Sequence, residues 1–144
     1  MKKTLNTTDS ITAPESNYLY VAISQLPSAG NGLYTAIDIY KDEIIAVMEG
    51  ELLTRSQAAG RAKKNNDRYF INMPDGSTMD SMNTKCFAKY ANDAKGISIS
   101  GFITNAKIAL DENNRVCLIA IRNIKPGEEI FCSYGKRYWR KKMM

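Results

Sequence analysis

IRNIKPGEEIFCSYGKRYW, residues 121–139, is the stretch whose reading decides the fold. Ile121-Arg-Asn-Ile runs into Lys125-Pro-Gly127, where proline presets φ and glycine takes the positive-φ position of a turn. Residues 128–134 then read as a short strand, so two strands pinch at a turn. Tyr134 closes that strand directly before Gly135, where a side chain can leave a sheet for a cavity, and Tyr138 and Trp139 follow with flat aromatic surface. Two readings fit these residues: ordinary aromatic core, or the wall of a small-ligand pocket.

Working outward, 144 residues suffice for one domain with a core of its own. At 44% hydrophobic residues the body reads as globular. No apolar run approaches the ~18 residues of a membrane span, so no membrane association is expected. Lys2 and Lys3 precede no apolar segment, and a secretory signal is not expected either. Cys86, Cys117 and Cys132 are widely spaced, odd in number and without a CxxC pair. They argue against a disulfide framework and a structural zinc site, and for reduced thiols in an intracellular compartment, nucleus or cytoplasm. Histidine is absent, which removes Ser-His-Asp and Cys-His machinery, HExxH zinc sites and the ordinary general base of neutral pH. The formal charge of +5 is concentrated late, in Lys136, Arg137, Arg140, Lys141 and Lys142. Such a tail is either a solvated basic end or a surface for nucleic acid, and no RNP-like, zinc-finger or helix-turn-helix pattern accompanies it.

Residues 1–16 are Thr/Ser-rich with few apolar positions and are expected to form a flexible leader, leaving 17–144 as the folded unit with its short basic tail. YLYVAI at 18–23 has strand composition, and the Gly30-Asn31-Gly32 turn breaks it before Leu33 and Tyr34 resume. Strand-like residues follow that turn, whereas a dinucleotide-binding fingerprint would open a helix. IIAVME at 44–49 is another strand. Thr54-Arg-Ser-Gln57 matches a capping box, which makes 58–64 the best helix candidate despite Gly60. RYFINM at 68–73 turns through Pro74-Asp-Gly76 into Thr78-Met-Asp80, and 86–93 suits a helical turn or coil packed in the core. Residues 103–110 and 115–121 form a hairpin across Asp111-Glu-Asn-Asn114, the second strand apolar on both faces and therefore buried. The fold class is mainly β with short helices. Asn92 stands out: an amide among Phe87, Tyr90 and Ala91 needs matched partners, which a backbone turn or a ligand edge supplies equally well.

Taken in order, Gly30-Asn-Gly32-Leu33, Met48-Glu-Gly50-Glu51, Arg68-Tyr69-Phe70, Met79-Asp80-Ser81, Phe87-Ala-Lys-Tyr-Ala-Asn92-Asp93-Ala94 and Ile124-Lys-Pro-Gly-Glu-Glu-Ile-Phe-Cys-Ser-Tyr134-Gly135 resemble the SET-domain protein-lysine methyltransferases over about 18–139. The resemblance implies a SET-domain fold of small β-sheets with a C-terminal pseudoknot, in which the last segment threads beneath a preceding loop and brings the Asn92 and Tyr134 segments together. It implies S-adenosylmethionine as cofactor, cradled by the main chain of Gly30, Asn31 and Gly32, held by Tyr69, Lys89, Asn92 and Asp93, and covered by Trp139. Tyr134 is then the catalytic residue, and Tyr90, Cys132 and Tyr138 line the channel of the substrate lysine. No metal is implied. The substrate is a protein, with histone tails the first expectation, and Glu49, Glu51, Asp80, Glu128 and Glu129 are the acids available to attract a basic tail. Three positions depart from the family pattern: Lys89 stands where Arg is usual, Asp93 for His and Ala94 for Ser. The resemblance then implies loss of the side-chain hydrogen bond of the usual His, with a main-chain contact at 93 still able to form. The 144 residues hold no cysteine-rich zinc segment of the kind that follows many SET domains, so Tyr138 and Trp139 are expected to close the pocket unaided. Two other classes stay open: a catalytically silent SET-like module that binds peptides, and a basic nucleic-acid-binding protein.

Overall fold

Short strands joined by tight turns make up most of the described residues, 9–73, 76–94 and 101–133, of this computed structural model. In chain order these strands are β1 (Asp9–Ser10), β2 (Leu19–Ile23), β3 (Asn31–Thr35), β4 (Glu43–Val47), β5 (Glu51–Leu53), β6 (Phe70–Asn72), β7 (Thr78–Asp80), β8 (Ala106–Leu110), β9 (Val116–Ala120), β10 (Glu129–Ile130) and β11 (Cys132–Ser133). The described helices are α1 (Arg55–Lys63) and single 3-10 turns at Glu15–Asn17 and Ala88–Tyr90. The chain is mainly β with short helices, arranged as three small sheets of order β1-β4-β9-β8-β11, β10-β3-β2 and β5-β7-β6.

The expected hairpin is the centre of the largest sheet. Every residue of β9 is buried, and the strand lies between β4 and β8, antiparallel to both. A run apolar on both faces has nowhere else to go. The turn closes on Asp111, whose carboxylate accepts from the Asn113 and Arg115 amides at 2.9 and 2.8 Å and from Arg115 Nε at 2.8 Å, while Asn114 takes φ 62°. Burial works to raise the Asp111 pKa, but these N–H donors outweigh it and hold the carboxyl below its ordinary value. The capping box also forms: Thr54 Oγ1 accepts from the Gln57 amide and Gln57 Oε1 from the Thr54 amide, starting α1 at Arg55.

Three expectations are corrected. Residues 121–124 form no strand: Ile124 meets Ile39 alone, through a reciprocal pair of hydrogen bonds at 2.7 and 2.8 Å. The single strand expected at 128–134 is divided at Phe131 into β10, antiparallel to β3, and β11, parallel to β8. Asn105 causes the division. Its Oδ1 accepts from the Phe131 amide at 2.8 Å, its Nδ2 donates to the Glu129 carbonyl at 3.0 Å, and the amides of Asn105 and Ala106 both donate to the Phe131 carbonyl. A side-chain amide here replaces a neighbouring strand, so the chain can leave one sheet for another with its polar groups met. The third correction concerns 9–16, expected in the leader. Asp9–Ser10 pairs with Glu43 and Ile44, Ile11 packs on the core, and the Glu15 carboxylate accepts from the Val47 amide at 3.0 Å. These residues finish the outer edge of β4, whose N–H groups need acceptors.

Candidate functional site

The turn between β2 and β3 is closed by the Ser24 amide donating to the Gly30 carbonyl at 2.8 Å, and Ser28 and Gly30 take φ 59° and 74°. A left-handed residue at each position lets the chain reverse tightly. Across from it, Ala88–Tyr90 forms the 3-10 turn expected as a helical turn or coil, with Ala88 and Ala91 buried and small enough for close approach. Asn92 follows, half-buried, and joins three segments. Its carbonyl accepts from the Cys132 amide at 2.9 Å within a parallel bridge to Phe131, and its Nδ2 donates to the Asn31 carbonyl at 3.0 Å. The side-chain amide thus meets backbone through Nδ2, and the main-chain carbonyl of the same residue meets the Cys132 amide.

Of the other expected site residues, Tyr69, Lys89 and Tyr90 lie together. Lys89 Nζ sits 5.3 Å from the Tyr69 ring centre and 5.4 Å from that of Tyr90, and donates to the carbonyls of Ser81, Met82 and Thr84 at 3.2, 3.3 and 2.9 Å. Its ammonium is thus taken up by the 81–84 loop and two aromatic faces. Asp93 and Ala94 are buried. Cys132 is buried in the main core with Sγ 3.7 Å from the Ala91 carbonyl, and burial, with the Asp93 charge adding to it, pushes its thiol well above the usual range. Tyr134, Tyr138, Trp139 and the basic tail lie outside the described residues. No group of three His, Cys, Asp or Glu among the described residues could hold a metal ion, and none of their helices is long and apolar enough to cross a membrane.

The acids expected on the surface divide. Glu49 and Glu51 are exposed; Glu128 accepts from the Lys125 amide at 2.6 Å; Asp80 and Glu129 are buried at 3% and 2% exposure. The last two are corrections, because both carboxylates are consumed by internal partners. Asp80 meets Arg61 Nη1 at 2.8 Å and the Met82 amide at 3.0 Å, and Glu129 meets Ser24 Oγ at 2.6 Å and the Gln25 amide at 2.8 Å. Glu129 and Asn105 are the residues that sequence reasoning missed. The only signal at Glu129 is its place directly before the apolar pair Ile130-Phe131.

Comparison with known proteins follows the same lines. The SET domain family model matches residues 30–135. Histone-lysine N-methyltransferase EZH2 of Chaetomium thermophilum is 27% identical in an alignment of 125 residues that covers 80% of this chain and 8% of that protein's length. Among solved structures, a humanized mutant of the Chaetomium thermophilum Polycomb Repressive Complex 2 bound to an inhibitor matches with TM-score 0.69 at 26% identity, over 81% of this chain and 15% of the other. The ctPRC2 complex in an autoinhibited conformation bound to S-adenosylmethionine matches with TM-score 0.68 at 26% identity, over 88% and 16%.

Proposed function

This chain belongs to the SET-domain family, a family of lysine methyltransferases, and from that premise we propose that it is a protein-lysine N-methyltransferase dependent on S-adenosylmethionine, with histone tails as its first candidate substrate. The observation that carries this reading is the junction at Asn92, where the 30–32 turn, the 88–94 segment and the strand leading to Tyr134 meet through main-chain and amide hydrogen bonds. These are the segments that the family pattern assigns to cofactor and chemistry.

The residues present fit the cofactor. A Cβ placed on Gly30 would meet nothing within 4 Å, so the turn has an open side beside the exposed Asn31. The main chain of 30–32 and the amide of Asn92 are the groups assigned to hold it, together with Tyr69, whose ring stands beside Lys89. When bound, S-adenosylmethionine supplies an electrophilic methyl group on a sulfonium, which a lysine amine accepts by in-line displacement. The protein's own task is to present that amine neutral and aligned. A free lysine titrates near ~10.4, and an apolar lining lowers this by desolvation. Ala91, Phe131 and Cys132 are buried side chains of that kind beside Asn92. We assign orientation of the amine to the Tyr134 hydroxyl together with main-chain carbonyls, a role that needs no general base and so suits a chain without histidine. Cys132, two residues before Tyr134, is smaller than an aromatic ring and a weak hydrogen-bond partner, so the product is expected to reach di- or trimethyl-lysine.

The test is incubation with labelled S-adenosylmethionine, a panel of histones and cell extract, with the label located by mass spectrometry. Label on a lysine, carrying two or three methyl groups at exhaustion and largely lost in Tyr134→Phe, is the expected result. A folded protein that labels no lysine contradicts the proposal.

A further inference from the structure

We infer that the Glu129 carboxylate is what requires glycine at position 32, and that it is the positioning group that sets the 24–32 turn for S-adenosylmethionine; the second half rests on the methyltransferase reading above. Glu129 lies beneath the turn at 2% exposure. Its Oε2 accepts from Ser24 Oγ at 2.6 Å, and its Oε1 accepts from the Gln25 amide at 2.8 Å and lies 3.5 Å from Gln25 Nε2. Tyr34, on the strand that leaves the turn, places its hydroxyl 3.3 Å from Oε1 while giving its proton to the Ile23 carbonyl at 2.6 Å. The phenol is accordingly pushed above its usual pKa, by burial first and by the Glu129 charge second. One carboxylate thus touches the residues entering the turn and the strand leaving it.

Gly32 rests on that carboxylate. A Cβ there would overlap Glu129 Oε2, stand 2.9 Å from its Cδ and 3.2 Å from the Ser24 Cα. A carboxylate free to swing would yield, but this one is fixed by its donors, and its own carbonyl is held by Asn105 Nδ2 at 3.0 Å. Gly30 differs: it needs glycine for φ 74° and has open space around it. The two glycines of the turn therefore serve separate ends, one the backbone and one the acid below. From the opposite side Asn92 holds the Asn31 carbonyl, so the main chain assigned to the cofactor is clamped between the two. Charge-assisted hydrogen bonds away from water are strong and directional, which suits them to setting a loop.

The experiment compares wild type with Glu129→Gln, Ser24→Ala, Gly32→Ala and the double variant Gly32→Ala/Glu129→Asp. Hydrogen exchange over 24–32 is read without cofactor, and S-adenosylmethionine affinity, KM and kcat are read with it. Glu129→Gln is expected to speed exchange in the turn and to raise the KM for S-adenosylmethionine by about tenfold, the scale of one charge-assisted bond, with kcat nearly kept. Ser24→Ala, which removes one buried donor of the carboxylate, should do the same to a smaller extent even if Glu129→Gln does not fold. Gly32→Ala should lose affinity, and shortening the acid in the double variant should restore part of it. Unchanged exchange in Glu129→Gln overturns the inference, as does a folded double variant that binds no better than Gly32→Ala, since the space at 32 would then belong to the ligand. A wild type that binds no S-adenosylmethionine, with exchange still governed by Glu129, removes the cofactor half and leaves the clamp standing.

Discussion

Asp80 and Glu129 are both buried acids, and the protein answers them in opposite ways. Asp80 lies on the small sheet β5-β7-β6, where Arg61 of α1 meets it at 2.8 Å and reaches Glu51 at 2.9 Å. The arginine side chain is 32% exposed, so the pair remains in touch with solvent and its screening ions. Glu129 has, among the described residues, neutral donors only: the Ser24 hydroxyl, the Gln25 amide N–H and, at 3.5 Å, the Gln25 side-chain amide. An ion pair at a rim fastens a helix to a sheet and tolerates small movements. An anion held by dipoles in a dry place fixes each donor's position, because no water stands ready to take the bond over. The molecule places the second arrangement under the turn proposed to hold the cofactor.

The contrast breaks first at Glu129→Ala. It leaves the buried Ser24 hydroxyl without its acceptor, at about 1–3 kcal/mol, while the amide of the exposed Gln25 turns to water, and denaturant unfolding should show the loss at low and high salt alike. Wild-type stability in this variant would remove the distinction between the two acids. Asp80→Ala, which removes the acid and leaves an arginine that water can reach, is expected to lose less, with the difference from wild type shrinking as salt is raised. A loss independent of salt would put Asp80 in the same class as Glu129.

The smallest effect is read at the thiols. Burial first, then the Asp111 charge, raises the Cys117 thiol from about 9 to about 11, and burial raises Cys132 further, while Cys86 is only half-buried. Alkylation of the native protein near neutral pH should therefore reach Cys86 before the other two. Because the folded-state values are raised, the stability linked to these thiols is complete below about pH 8.5, where unfolded cysteine titrates, and declines as pH rises through the folded values. Cys132→Ala should flatten that alkaline decline, as followed by thermal melts, and an unchanged slope would show the thiol to be better hydrated than its burial implies.

How far the sequence could be read differs between regions for physical reasons. The β8–β9 hairpin was legible because burial on both faces writes itself into a continuous apolar run, and the Asp111 turn because Asx chemistry is local. The cap at Thr54 was legible for the same reason. The break at Phe131 was not, since its cause, Asn105, lies 26 residues away and acts by replacing a strand with one side chain. Glu129 was misread as a surface acid because its partners are 104 and 105 residues distant, and nothing local marks a carboxylate as dry. At Asn92 local chemistry left two partners open, backbone or ligand. Among the described residues its Nδ2 meets the Asn31 carbonyl, and the family pattern supplies the reason to look for a ligand there as well.

The central claim is that the turn at 30–32 and Asn92 together form the seat of S-adenosylmethionine. Calorimetric titration of the cofactor into wild type and Asn92→Ala, each shown by thermal melt to be folded, tests it most directly. Removing Nδ2 deletes the bond to the Asn31 carbonyl, a loss of about 1 kcal/mol and so roughly a five- to tenfold weaker affinity, against saturable binding in the wild type. No heat from the folded wild type, or equal affinity in the folded variant, would contradict the account.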